Sequence, residues 1–249
     1  MIRISAITNI GLCRGKNQDG FFVNGLSSIG EINKRVFVET DESRIVAFVA
    51  DGVGSTKDAE FAVEKAIKFS ATHIEKIKAD NLYNFFNQMN EFVNYCADKD
   101  GKECSTTIAG VVVENEELCS YNVGDSKVFL INNGYLEQIS IDDTAAGIFM
   151  NSDLAFTNEK IDTKQPIIQY IGNPNVSVIE THIKKALPIK DILLCTDGIT
   201  DLVSMDEMEE LLECSEDERA FTDAMISMAL QRGGSDNATV IYIHFDKEV

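Results

Sequence analysis

The 249-residue sequence predicts an α+β fold, a sandwich of antiparallel sheets covered by segregated helices, and three observations carry that expectation. Two amphipathic helical patterns follow one another in the first half of the chain. A series of short β-type runs with turn residues between them follows from Thr106. The order of strands, two helices, many strands, helices and a last strand lacks the strand-helix alternation of a parallel βαβ sheet.

In chain order, residues 44–50 (RIVAFVA) form a nearly continuous apolar run ending at Asp51-Gly52, which reads as a buried strand entering a turn. Ala59, Ala62, Val63, Ala66, Ile67, Ile74 and Ile77 then recur at helical spacing, with Ser55 or Thr56 as N-cap. Leu82, Phe85, Phe86, Met89, Phe92, Val93 and Cys96 make the stripe of a second helix, a core-facing one. Residues 107–113, 118–123, 128–131 and 135–139 read as the strands of a meander. Within it, Asn132-Asn133-Gly134 is a hairpin turn, because Asn-Gly supplies the positive φ angles of a tight connection. Residues 142–175 show no period and read as an irregular, mobile surface segment. Beyond them, 176–181 and 192–195 read as strands, 208–212 and 221–230 as helices, and 238–245 as the closing strand. No repeat or linker divides the chain, so 1–249 is expected to be a single domain.

Composition narrows the function. With 41 acidic against 22 basic residues the net charge is −19, a field that repels phosphate backbones and anionic lipid, so neither nucleic acid nor a membrane is expected as a partner. The six cysteines have no CxxC spacing and no accompanying histidine pattern, which argues against zinc. The start has no signal-peptide core, and no run approaches the roughly 18 apolar residues of a membrane span. A reducing cytoplasm is the expected location. The length suffices for a core of its own, and a monomer is expected.

Three motifs each deliver an aspartate from a β-type run to a turn: FVADG at Asp51, LLCTDG at Asp197 and NVGDS at Asp125. A fourth, GGSDN, places Asp236 in a glycine-rich turn before the last strand. Any one of them is a common turn signal. Together they differ, because the runs before Asp51 and Asp197 are too apolar for exposed hairpins, and burying unpaired carboxylates is costly without cations. Hard cations such as Mg²⁺ and Mn²⁺ take carboxylate, carbonyl and water oxygens, and glycine beside the aspartate lets a carbonyl approach. His73, His182 and His244 belong to no metal or nucleophile spacing, and no nucleotide-binding glycine motif is present.

In this order the motifs resemble those of the PP2C-type (PPM) protein serine/threonine phosphatases, particularly bacterial members. The resemblance rests on NIGLCRGKNQDGFF at 9–22, VADGVGS at 49–55, STTIAG at 105–110, NVGDSKVFLI at 122–131, LLCTDGITD at 193–201 and GGSDNATVI at 233–241. It spans nearly the whole chain. It implies two packed antiparallel sheets flanked by helices, with the site at one end, and hydrolysis of phosphoserine and phosphothreonine in proteins phosphorylated by a cognate kinase. It further implies that Asp51 bridges two Mn²⁺ or Mg²⁺ ions, that the Gly52 carbonyl ligates the second, and that Asp197 and Asp236 complete the first. Asp19 would hold metal-bound water, Arg14 the substrate phosphate, and Asp125 with Asp197 a third, weaker metal.

There are departures from the family pattern. Val53 replaces a histidine proposed as general acid in animal members and cannot transfer a proton. Gln18, Ser55 and Lys127 replace glutamate, glycine and arginine. Two other readings keep the fold: a catalytically inactive phosphatase-like sensor or interaction module, and a phosphoesterase acting on small molecules.

Overall fold

The computed structural model describes residues 1–114, 117–151, 165–176, 178–186 and 190–246. One six-stranded sheet runs β4 (Lys34–Thr40), β1 (Ile2–Asn9), β12 (Ala238–Phe245), β11 (Asp191–Cys195), β8 (Lys127–Asn132), β9 (Tyr135–Gln138). The other runs β10 (His182–Ala186), β7 (Glu117–Val123), β6 (Ile108–Glu114), β5 (Arg44–Asp51), β2 (Asp19–Val23), β3 (Leu26–Ser27). Neighbouring strands are antiparallel throughout. This is the expected sandwich.

The central strands read as apolar runs rather than alternating patterns because both faces of each sheet are covered there. Between the sheets lie Ile4, Phe21, Val49, Val111, Leu194 and Ile241. On the outer face of the second sheet, Phe22 and Phe48 meet Phe85, Phe86 and Met89 of helix α2 (Leu82–Asp100), behind helix α1 (Ala59–Thr72). Outside the first sheet, Phe129, Leu193 and Val240 meet Met208 of α5 (Met205–Cys214) and Phe221 and Met225 of α6 (Glu218–Gln231). Adjacent Phe21 and Phe22 thus face different layers, and each such buried side chain contributes roughly 1.5–3 kcal/mol. Phe48 stacks on Phe22 at 5.2 Å between ring centroids, so Phe48→Ala would cost on the order of 3–5 kcal/mol.

Five expectations need correction. The first helix ends at Thr72, and Ile74 begins a separate 3₁₀ turn, Ile74–Lys76. Its N-cap position is Asp58, not Ser55 or Thr56: the Thr56 hydroxyl instead donates to the Val53 carbonyl and closes a turn. The meander divides, since β6 and β7 pair in one sheet and β8 and β9 in the other. The chain changes sheet at Gly124-Asp125-Ser126. The strand expected at 176–181 is β10, residues 182–186, where Val176 and Val178 are exposed and the pairing with β7 starts at His182↔Asn122. Residues 142–175 are not wholly irregular surface: Thr144 caps the short helix α3 (Ala145–Met150), and Ile171 is fully buried against Thr106. Residues 152–164 of that segment lie outside the described residues. The Asn133-Gly134 hairpin has the expected left-handed φ values of 53° and 86°.

Candidate metal centre

Strand register gathers the aspartates. Asp19 opens β2 directly opposite Asp51, which closes β5. In the other sheet Cys195, the last residue of β11, pairs with Lys127 on one side and Val240 on the other, so the next residues of β11 meet the Gly124-Asp125-Ser126 turn and the start of β12. Asp197 begins the one-turn helix α4 (Asp197–Thr200) there, and Asp236 precedes β12. The two sheets are tied at this end by Asp19, whose Oδ2 accepts hydrogen bonds from the hydroxyls of Thr196 and Thr239, each at 2.8 Å.

Close backbone approach fixes the turns. A Cβ on Gly52 would lie 2.8 Å from both the Ala59 Cβ and the Gln18 carbonyl oxygen, to which the Gly52 amide donates at 3.0 Å. Gly124 has φ of 102°, and a Cβ there would lie 2.6 Å from Thr107. Asn237 clamps the loop that carries Arg14: its side-chain amide donates to the carbonyls of Ile10 and Lys16, and its Oδ1 accepts from the Gln18 amide.

The electrostatics are those of crowded, buried carboxylates. Burial pushes Asp19 up to about 7, with the charge of Asp197 adding to the rise and the two threonine hydroxyls opposing it. Asp125 is likewise pushed to about 7, first by burial and then by Asp197. Asp51 is raised well above the ordinary carboxylate range by burial and by Asp197, Asp19 and Asp125. Asp197 is raised by burial while its hydrogen bond with Asp51 opposes the rise. The Arg14 guanidinium donates to Asp236, which raises its own pKa, and it also feels Asp197 and Asp51. One Asp125 oxygen, Oδ1, is buried without a hydrogen-bond partner among the described residues.

All seven residues expected at the site therefore lie at this one end. Among the described residues no three carboxylate, thiol or imidazole groups already close around a point as a finished cage. Arg14 instead holds Asp236, and Asp51 shares a hydrogen bond with Asp197. The donor set nonetheless fits hard divalent cations: it is all oxygen, and burial together with the neighbouring carboxylates raises Asp19, Asp51, Asp125 and Asp197. Beside it opens a cavity of about 710 Å³ bordered by Asp125 and Asp197.

Sequence reasoning missed the supporting residues. Thr196 and Thr239 carried no signal beyond β propensity, and Asn237 looked like part of a turn. Asp143, 2% exposed, accepts from the Gly124 amide and from His182 Nε2, both at 2.7 Å, and so anchors the turn that carries Asp125. The separation of 39 residues between Asp143 and His182 hid that link.

Residues 33–236 match the protein phosphatase 2C family. The chain belongs to that family. Among its phosphatase 2C relatives, the serine/threonine phosphatase Stp of Listeria monocytogenes is 25% identical over 228 residues, 87% of this chain and 90% of that protein. The serine/threonine protein phosphatase PstP of Mycobacterium tuberculosis is 25% identical over 252 residues, 97% of this chain and 44% of that longer protein. The fold is shared with the crystal structure of Stp1 from Staphylococcus aureus, at a TM-score of 0.80 and 22% identity over 99% of this chain and 96% of that one. A structure of the PstP catalytic domain in complex with two manganese ions superposes with a TM-score of 0.72 and 21% identity, covering 98% of this chain and 99% of that one.

Proposed function

We propose that residues 1–249 work as one metal-dependent protein phosphatase domain that hydrolyses phosphoserine and phosphothreonine. The observation that supports this most is the convergence of Asp19, Asp51, Asp125, Asp197 and Asp236 at one end of the sandwich, with Asp51 raised by three of the others. Asp51 would be shared between two Mn²⁺ or Mg²⁺ ions, with the Gly52 carbonyl serving the second and Asp197 and Asp236 the first. Bound there, the ions supply an acidified water and charge neutralisation for a phosphate ester. Asp125 and Asp197 hold a third, weaker ion.

The chain's own residues do the rest. Asp19, fixed by Thr196 and Thr239, orders water at the centre. The planar guanidinium of Arg14 matches phosphate oxygens and is half exposed, and it would be free for the substrate once Asp236 served a cation. Val53 cannot protonate the leaving oxygen, which leaves that proton to water or to another group. The substrates are phosphoproteins made by a cognate serine/threonine kinase. Among the described residues no helix is long and apolar enough to cross a membrane, and the protein works as a cytoplasmic monomer. Phosphate release from phosphoseryl and phosphothreonyl peptides, set against a panel of phosphorylated metabolites in Mn²⁺, tests the substrate class. Turnover of the peptides is expected; turnover of metabolites alone, or of neither, would overturn it.

A further inference from the structure

The cavity beside the carboxylate cluster is bordered by Thr200 as well as by Asp125 and Asp197. Asp197 and Thr200 are three positions apart in α4, which places them on one helix face. The Thr200 hydroxyl is buried and has no hydrogen-bond partner among the described residues, and Asp125 Oδ1 on the opposite turn is in the same condition. A buried polar group left without a partner is costly, more so where it is charged.

This is not the general condition of hydroxyls at this end of the fold. Thr196 and Thr239 bond Asp19, Thr107 bonds Ser126, and Ser140 accepts from the Val128 amide. Ser105 also has a buried, unpartnered hydroxyl, but it does not border this cavity. Lys127 does not answer Asp125 Oδ1 either: among the described residues it pairs with Asp142 and donates to the backbone carbonyl of Asp125. Asp125, with an acceptor oxygen, and Thr200, with a hydroxyl that both donates and accepts, thus border one polar cavity together with Asp197, both atoms buried and unpartnered among the described residues.

We propose that Thr200 is a ligand-binding residue of this cavity, its hydroxyl bonding a water molecule in the hydration shell of a divalent cation held by Asp125 and Asp197. The inference rests on the reading of Asp125 and Asp197 as the third cation position. Two carboxylates leave most of such a shell as water, since Mg²⁺ in particular sheds its waters reluctantly. A hydroxyl fixed on the helix that carries Asp197 orients one of those waters and adds its hydrogen bond to an otherwise weak site.

Calorimetric titration of metal-free protein with MnCl₂, paired with thermal melts, tests this in Thr200→Val, Thr200→Ser and Asp125→Ala. Thr200→Val is expected to keep the two tighter binding events at wild-type affinity and to weaken the third by about threefold to tenfold, the worth of one hydrogen bond. Thr200→Ser is expected to restore it. Without metal, Thr200→Val is expected to melt at or above the wild-type temperature, because the hydroxyl it removes has no partner. Wild-type binding in Thr200→Val together with loss of the third event in Asp125→Ala would overturn the role of Thr200 and leave the third site standing. Unchanged binding in Asp125→Ala would remove the third-site reading itself. A markedly lower melting temperature for metal-free Thr200→Val would show that its hydroxyl serves the fold and would also overturn the inference.

Discussion

Replacing Asp125 by asparagine in the metal-free protein should make it more stable above the ordinary carboxylate range, with the full gain reached only at neutral to alkaline pH. Burial and Asp197 raise the Asp125 carboxyl to about 7, whereas in the unfolded chain it titrates in the ordinary range. A carboxyl raised on folding binds its proton more tightly in the native state. Its charge therefore costs nothing at low pH, and the cost grows as pH climbs from the unfolded value to the folded one and then stays constant. A displacement from about 4 to about 7 corresponds to on the order of 4 kcal/mol. That is a ceiling, because water entering the cavity relieves part of it. For a chain of this size, roughly 2–4 °C per kcal/mol gives a gain of about 10 °C for Asp125→Asn near pH 8 and none near pH 4. Differential scanning calorimetry of chelated wild type and variant across that range reads the difference directly. Saturating Mn²⁺ should then narrow it, because cations remove the repulsion that the substitution removes. A melting difference that does not vary with pH, or a variant less stable near pH 8, would refute the claim that uncompensated carboxylates strain this end of the sandwich.

Three further outcomes follow from the geometry. Gly52→Ala places a methyl group 2.8 Å from the Gln18 carbonyl and from Ala59, so it should displace the Asp51 turn and lower phosphate release at least about tenfold with weaker Mn²⁺ binding; wild-type kinetics would contradict that. Arg14→Ala should raise KM for a phosphopeptide more than it lowers kcat, since its contact is the same in ground and transition states, and a large kcat loss at constant KM would refute phosphate binding. Asp143 raises the His182 imidazole through their hydrogen bond, so that pair contributes fully below the ordinary histidine value of about 6.5 and less as pH rises past the raised one. The melting gap between wild type and His182→Gln should shrink as pH rises above the ordinary histidine value, and a gap that widens would show that the pair does not act as an ion pair.

Much of this was legible in the sequence because the determinants are local. The runs into Asp51 and Asp197 are apolar on both faces, which marks strands covered on both sides, and an aspartate at the end of such a strand cannot be an ordinary hairpin residue. Asn133-Gly134 and the stripe from Leu82 to Cys96 specify their elements by themselves. What escaped depends on distant partners. The path from β7 to β8 looks like one more hairpin, yet Gly124 with its left-handed φ and the anchor of Asp143 turn the chain into the other sheet. Likewise β10 has an exposed Ile183 and two lysines, so only its pairing with β7 makes it a strand. The hydroxyls of Thr196 and Thr239 acquire their role only when both sheets meet at Asp19.

The central claim is that these aspartates hold divalent cations which make the chain a phosphatase. Phosphate release from a phosphothreonyl peptide tests it most directly, measured for wild type and for folded Asp51→Ala and Asp236→Ala, first with Mn²⁺, then after chelation, then after Mn²⁺ is restored. The account predicts turnover by wild type only while metal is present, and loss of most turnover in each variant although both still melt cooperatively. Full turnover after exhaustive metal removal, or near-normal rates in either folded variant, would contradict it.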